Sequence, residues 1–372
     1  MNYEKFLEFF DNGLKLKNKG IPITNYKKIG KETANIQKGR YWIVGGSTST
    51  GKTSFVDDIF VIDTYEWFIK EKPDIKLNFI YNSMERPEVS KLAKWSVLKL
   101  FKDTGKLISP NVLSGQINEE YENQMEDFEF IKKNRLLIHS YKPYFDEMFK
   151  IMDFYSGSCN PTGIYKRCES FAFKHGVKKQ KEHGWEYIPN TENHYVIIVN
   201  DHVGKISSES GLNDKGVLDK HSEYMGILRD KFLFIPIDIY QFNRGVNDTQ
   251  RKSNSELYPN MSDFKGSSDG LENCDFAIAL FNPYKHGIKN FNGYDINSFV
   301  GSNGENRFRS ISLLKNSYGT DDIDFGLGFI GEVGKFYDLP VADELKSITK
   351  RVEIEKMLFL EKQKLNIKQW SL

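Results

Sequence analysis

The chain has 372 residues, enough for two domains or for one large α/β domain with insertions. Hydrophobic residues make up 39% and aromatic residues 14%, which supports a packed core and excludes global disorder. A net charge of +1 gives no overall field for a polyanion, so any basic surface has to be local.

In chain order, Tyr3, Phe6, Leu7, Phe10 and Leu14 recur at helical spacing and predict an amphipathic helix. Gly20 and Pro22 then set residues 1–19 apart as a linker helix. Its apolar face packs either on its own domain or on a neighbouring subunit. Tyr41-Trp42-Ile43-Val44 reads as a buried strand, and Thr53 to Phe68 as a helix with Phe55, Ile59 and Phe60 on one face. Leu77 to Tyr81 is a strand, Pro87 to Phe101 a helix, Asn118 to Lys132 a helix, and Leu136 to His139 a strand. Pro161 to Lys174 is a helix opened by proline. Cys159, Cys168, His175 and His183 lie close together, but their spacing matches no common zinc pattern. Three cysteines in all suit a reducing cytoplasm. Lys178 to Asn193 is polar and reads as a surface hairpin or insertion. Tyr195 to Val199 is a strongly apolar strand. A helix over Leu218 to Lys231 leads into a strand over Leu233 to Tyr240, and Phe276 to Phe281 is another strand. Residues 244–272 form a long polar loop, of the kind that carries function in compact domains or is simply solvated. Ser310 to Asp338 reads as strands with a hairpin, and Val341 to Lys368 as a charged helix. The βαβ rhythm argues for a parallel sheet covered by helices. No run of about 18 apolar residues exists, so no membrane span is expected, and the N-terminus lacks the apolar core of a secretory leader.

Between the first strand and its helix, Gly46-Ser47-Thr48-Ser49-Thr50-Gly51-Lys52-Thr53 matches the phosphate-loop pattern G-x-x-x-x-G-K-[ST]. Such a loop points successive N–H groups at phosphate oxygens, and the helix behind it adds its dipole. ATP and Mg²⁺ are the expected cofactors, with Lys52 reaching the β- and γ-phosphates and the Thr53 hydroxyl on the metal. Hydrolysis also needs a metal-holding carboxylate, a carboxylate that polarises water and a group that senses the γ-phosphate. Asp201, at the end of the Tyr195–Val199 strand, stands where a Walker B carboxylate stands. A strand-ending Asp is also common without any metal. Glu85, just after the Leu77–Tyr81 strand, reads either as the water-activating base or as an acid at a helix start. Gln241, after the strand ending at Tyr240, reads either as a γ-phosphate contact or as an exposed amide.

The order of these pieces resembles the RecA-type motor domain of the DnaB family of replicative helicases. Gly45 to Ser54 resembles its phosphate loop, and Ser83-Met84-Glu85-Arg86-Pro87 its S-L-E-M-P segment, whose Glu is catalytic. Asn160 to Gly176 resembles the helix before its Walker B strand, and Val199-Asn200-Asp201-His202 the strand's end. Ile239-Tyr240-Gln241-Phe242-Asn243-Arg244 resembles L-S-Q-L-N-R. Ser262-Asp263-Phe264-Lys265 with Leu271 to Asp275 resembles S-D-L-R…I-E-Q-D-A-D, and Leu314 to Gly319 resembles A-K-Q-R-N-G.

The resemblance spans about residues 20–340 and implies the following. The fold is α/β, a RecA-like P-loop NTPase with a mostly parallel central sheet, followed by a C-terminal β-hairpin and helix. Residues 20–340 form the ATPase domain, with 178–193 as an insertion and 341–372 as a C-terminal helical extension. Gly46, Ser47, Thr48, Ser49, Thr50, Gly51, Lys52, Thr53 and Ser54 hold the nucleotide, joined by Lys315. Lys52, Glu85 and Gln241 are catalytic, and Thr53 and Asp201 hold the metal. Arg244, Arg251, Lys252 and Lys265 line a channel for single-stranded DNA. The partners are that strand, further copies of the chain in a hexamer, and a primase or loader. Translocation is 5'-3' and the location is the host cytoplasm of a phage or mobile element. Two departures stand out. The family's trans-acting arginine finger falls at Ser317, which carries no charge; Arg307 or Arg309 is a substitute. The family's N-terminal domain has no counterpart before residue 20. A second reading is therefore a RecA-like ATP-binding module, a recombination, loader or assembly factor, with weak or no hydrolysis.

Overall fold

The structure, a computed structural model, describes residues 3–15, 19–182, 184–243, 258–266, 268–301 and 304–345. The strands are β1 (Trp42–Gly46), β2 (Lys76–Ser83), β3 (Met152–Ser156), β4 (Gly176–Gln180), β5 (Trp185–Pro189), β6 (His194–Asp201) and β7 (Ile235–Gln241). They continue as β8 (Phe276–Phe281), β9 (Asn290–Phe291), β10 (Tyr294–Asp295), β11 (Phe308–Asn316), β12 (Ile323–Ile330) and β13 (Lys335–Asp338). Nine of them form one sheet in the order β13-β12-β11-β8-β1-β7-β6-β2-β3. From β8 to β3 all neighbours run parallel, while β11, β12 and β13 add antiparallel strands at one edge.

The centre of the sheet is buried on both faces, so its strands read as continuous apolar runs. Trp42 and Val44 enter one core with Phe55, Phe60, Phe79 and Trp95. Their alternates Tyr41 and Ile43 enter the other with Phe171, Met225 and Phe232. Register decides what stands at the carboxyl ends. Gly46 pairs with Gln241, Asn200 with Asp238, and Ser83 with Asp201. The chain therefore leaves β1, β7, β6 and β2 along one rim, the usual place for a ligand in an open α/β sheet.

Several sequence expectations need correction. Leu136–His139 is not a strand but lies in the helix Arg135–Ser140. A four-residue apolar run cannot reveal its period, and here Leu136 faces solvent while Leu137 and Ile138 pack on the core. The strand beside β2 is β3, in a segment without a long apolar run. The helix after the phosphate loop extends to Glu71 and passes through a π-helical stretch, Asp57–Asp63. The helix expected from Leu218 starts at Asp214, capped by the Asn213 side chain accepting from the Gly216 N–H. It ends at Leu233 with φ of 57°, so β7 begins only at Ile235. The expected surface hairpin is present as the antiparallel pair β4–β5. Tyr3–Leu14 is a helix with Tyr3, Phe6, Phe9, Phe10 and Leu14 exposed. Of the C-terminal helix, one turn (Ala342–Leu345) is described; residues 346–372 lie outside the described residues.

Candidate nucleotide site

The loop from Gly46 to Lys52 turns tightly between β1 and the helix. Gly51 has φ of 97°, and a Cβ there would stand 2.8 Å from Phe336 and 2.9 Å from Phe329. A Cβ on Gly46 would meet the Leu280 carbonyl at 2.6 Å. Both positions therefore require glycine. The Thr50 hydroxyl and the Lys52 ammonium both donate to the Ser47 carbonyl, at 2.9 and 2.8 Å. Burial pushes the Lys52 ammonium down to about 8, helped by Lys285 and opposed by Asp201 and Glu85.

Five residues singled out from sequence, drawn from four segments, meet here. The Thr53 hydroxyl donates to Asp201 Oδ1 at 2.8 Å, although 148 residues separate them. Gln241 Nε2 donates to Thr48 Oγ1 at 2.9 Å, so it is no stray amide. Glu85 lines the same cleft of about 670 Å³, together with Lys52, Thr53 and Gln241. Pro87 caps the next helix and Glu88 is its first-turn acid, so Glu85 stands outside that helix. Beyond Gln241, the Lys265 N–H donates to the Gln241 carbonyl at 3.1 Å and the Asn243 N–H to the Asp263 carbonyl at 2.7 Å. Lys265 is thus held at the rim, with its side chain exposed. Arg244, Arg251 and Lys252 lie outside the described residues.

Lys315 and Ser317 are not brought to this cleft. Lys315 pairs in register with Ala277 near the start of β8, at the opposite end of the sheet. Its ammonium donates to the carbonyls of Leu271 and Glu272, both at 2.8 Å, near the end of the helix Ser268–Asn273. Arg309 does reach the cleft, but it is buried and committed. It donates to the carbonyls of Thr50 at 3.2 Å, Asn306 at 2.9 Å and Phe308 at 2.6 Å, and stacks on Phe329.

The sequence reading missed a buried charge cluster behind Asp201. Lys91 is fully buried, with Nζ 2.8 Å from Asp201 Oδ2 and 2.9 Å from Asp57 Oδ2. The Tyr81 hydroxyl donates to Asp57 Oδ1 at 2.7 Å. Burial alone would raise the Asp201 carboxyl, but the adjacent Lys91 ammonium and the Thr53 hydroxyl hold it below the usual range. A signal was available: Lys91, Trp95 and Leu98 share one helical face, and a lysine on an apolar stripe calls for a buried partner.

The donors fit a magnesium nucleotide. A hydroxyl and a carboxylate, both hard oxygen ligands, converge beside a loop of N–H groups and an ammonium. These features define a P-loop fold of the RecA type, with its site on the carboxyl rim. No protein-family model matches the sequence, and no curated protein does. Solved structures match in fold. One is the ATPase domain of a DnaB-like helicase, with a TM-score of 0.60, 13% identity, and coverage of 91% of this chain and 99% of that one. A second is described as a DnaB-like replicative helicase studied with primase, with a TM-score of 0.58, 12% identity, and coverage of 91% of this chain and 67% of that one. The chain has the fold of a DnaB-like helicase ATPase domain.

Proposed function

We propose that the protein is an ATP-dependent, DnaB-like DNA helicase that moves on single-stranded DNA as a hexameric ring. The observation that carries this reading is the meeting of Lys52, Thr53, Asp201, Glu85 and Gln241 around one cleft, with Gln241 bonded onward to Lys265. Lys52 and the loop N–H groups bind the β- and γ-phosphates. Thr53 and Asp201 hold Mg²⁺, which when bound neutralises charge developing on the phosphates. Glu85 takes the proton of the attacking water. Gln241 senses the γ-phosphate and passes its loss to the loop that holds Lys265 through the backbone bond between them. That loop, with Arg244, Arg251 and Lys252, tracks the DNA backbone. The exposed apolar residues of Tyr3–Leu14 dock on the next subunit, and Lys315 acts on a neighbour's site. Primase or a loader is the further partner, and the host cytoplasm the location.

The test is size by light scattering, with and without ATP and an oligonucleotide, combined with unwinding of forks that have a 5' or a 3' single-stranded tail. A ring near six subunits that opens the fork from the 5' tail is the expected result. Nucleotide binding without rings or unwinding would move the protein to the second reading, an ATP-binding loader, recombination or assembly module. Ser317, exposed and uncharged, is the feature that keeps that reading in play.

A further inference from the structure

Hydrolysis on this scaffold needs positive charge at the γ-phosphate beyond Lys52, and Ser317 cannot bring it from a neighbour. Among the described residues, five Lys and Arg side chains in or at the cleft wall carry such charge: Lys52, Arg86, Lys94, Lys285 and Arg309. Arg309 is tied to three backbone carbonyls and closed to a phosphate. Arg86 and Lys94 follow β2, on the wall of Glu85 and three strands away from β1. Lys285 follows β8, the immediate neighbour of β1 on the other side.

Lys285 is exposed, yet its backbone is fixed. It sits in the turn Pro283–His286, which begins with a buried proline and closes through the Gly287 N–H on the Tyr284 carbonyl at 3.0 Å. His286 stacks on Phe281 with ring centroids 4.9 Å apart. Lys285 Nζ lies 3.5 Å from the Thr48 carbonyl. Gln241 reaches the hydroxyl of that same Thr48. Two side chains from the strands flanking β1 thus converge on one residue of the phosphate loop. Lys285 and Lys52 also repel each other across the loop, a repulsion that an anion between them would relieve.

We propose that Lys285 is a catalytic residue that contacts the γ-phosphate in cis, supplying within one subunit the charge that an arginine finger supplies in trans. The proposal rests on the ATPase reading above. In the step it serves, the water oxygen bonds to the γ-phosphorus while the bond to the β–γ bridging oxygen breaks. The water proton goes to Glu85, and ADP and phosphate leave. Lys285 stays protonated throughout and stabilises charge only.

The experiment uses the full chain with Lys285→Ala, Lys285→Arg and Ser317→Ala, and reads ATP turnover and the affinities for ADP and ATPγS. Lys285→Ala is expected to lower kcat by about 10²-fold, the scale of one lost preorganised donor. It should also lower the ATPγS-to-ADP affinity ratio by about tenfold, because only the longer nucleotide reaches Lys285. Lys285→Arg should restore most of both, and Ser317→Ala should change neither. An unchanged ratio in Lys285→Ala, including equal weakening of both nucleotides, overturns the proposal. So does a Ser317→Ala defect as large as that of Lys285→Ala. A wild-type chain that binds neither nucleotide sinks the ATPase reading itself, whereas normal wild-type turnover with a silent Lys285→Ala sinks only the cis role.

Discussion

The two ends of the parallel sheet are built from the same strands and serve opposite ends. At the carboxyl rim, side chains reach across sequence toward a shared cleft: Thr53 to Asp201, Gln241 to Thr48, Lys285 to Thr48. At the amino rim, side chains satisfy each other and the backbone. Lys315 binds the Leu271 and Glu272 carbonyls, and Tyr318 donates to Asp275 at 3.1 Å while Arg40 lies 3.4 Å over its ring. His194 bonds Asn78 at 2.8 Å, and Lys76 bonds His175 at 2.9 Å. The contrast teaches that polar residues at one rim are arranged to receive a ligand, and at the other to close the fold.

The comparison breaks most visibly at Lys52. Lys52→Ala is expected to abolish ATP turnover while the circular-dichroism spectrum and melting curve stay those of the wild type. Phosphate release at the wild-type rate would remove the carboxyl rim from chemistry altogether. Glu85→Gln should keep nucleotide binding and slow hydrolysis by at least about 10²-fold, the scale of a lost general base. Normal turnover in single-cycle assays would make Glu85 only a cleft-lining acid.

Lys91 sharpens the boundary between site and scaffold, since it is buried like a core residue but touches Asp201. Lys91→Met leaves Asp57 and Asp201 buried without their cation. Urea unfolding should show a loss of about 3–5 kcal/mol, typical of a broken buried pair. A loss under about 1 kcal/mol would mean that the two carboxylates have another source of compensation.

The smallest effect belongs to the amino rim. Burial, with Lys76, His175 and Lys38 nearby, lowers His194 from 6.5 to about 4. The folded protein therefore holds His194 neutral where the unfolded chain would protonate it. The sign follows: the contribution is fully present above about pH 6.5 and is lost as pH falls toward about 4. His194→Asn should flatten the fall of melting temperature across that window without altering ATP turnover at pH 7.5. A variant that melts with the same pH profile as the wild type would show that other groups govern the decline.

The sequence by itself determined the phosphate loop, the strands that became β1, β2, β6, β7 and β8, and the rim positions of Glu85, Asp201 and Gln241. These are local signals: fully buried parallel strands are continuous apolar runs, and the loop motif is contiguous. The resemblance in the order of motifs agrees with the RecA-like fold. Only the tertiary structure decided which partners those residues take. Whether Leu136–His139 coils or extends depends on what packs beneath it, because four residues have no readable period. Lys91 with Asp57 and Asp201, or Lys285 with Thr48, come from segments tens to hundreds of residues apart, and strand order and register alone bring them together. Arg309 makes the same point in reverse. Its sequence position offers a free cation, whereas the fold commits its donors to three carbonyls and leaves the exposed Lys285 facing the cleft.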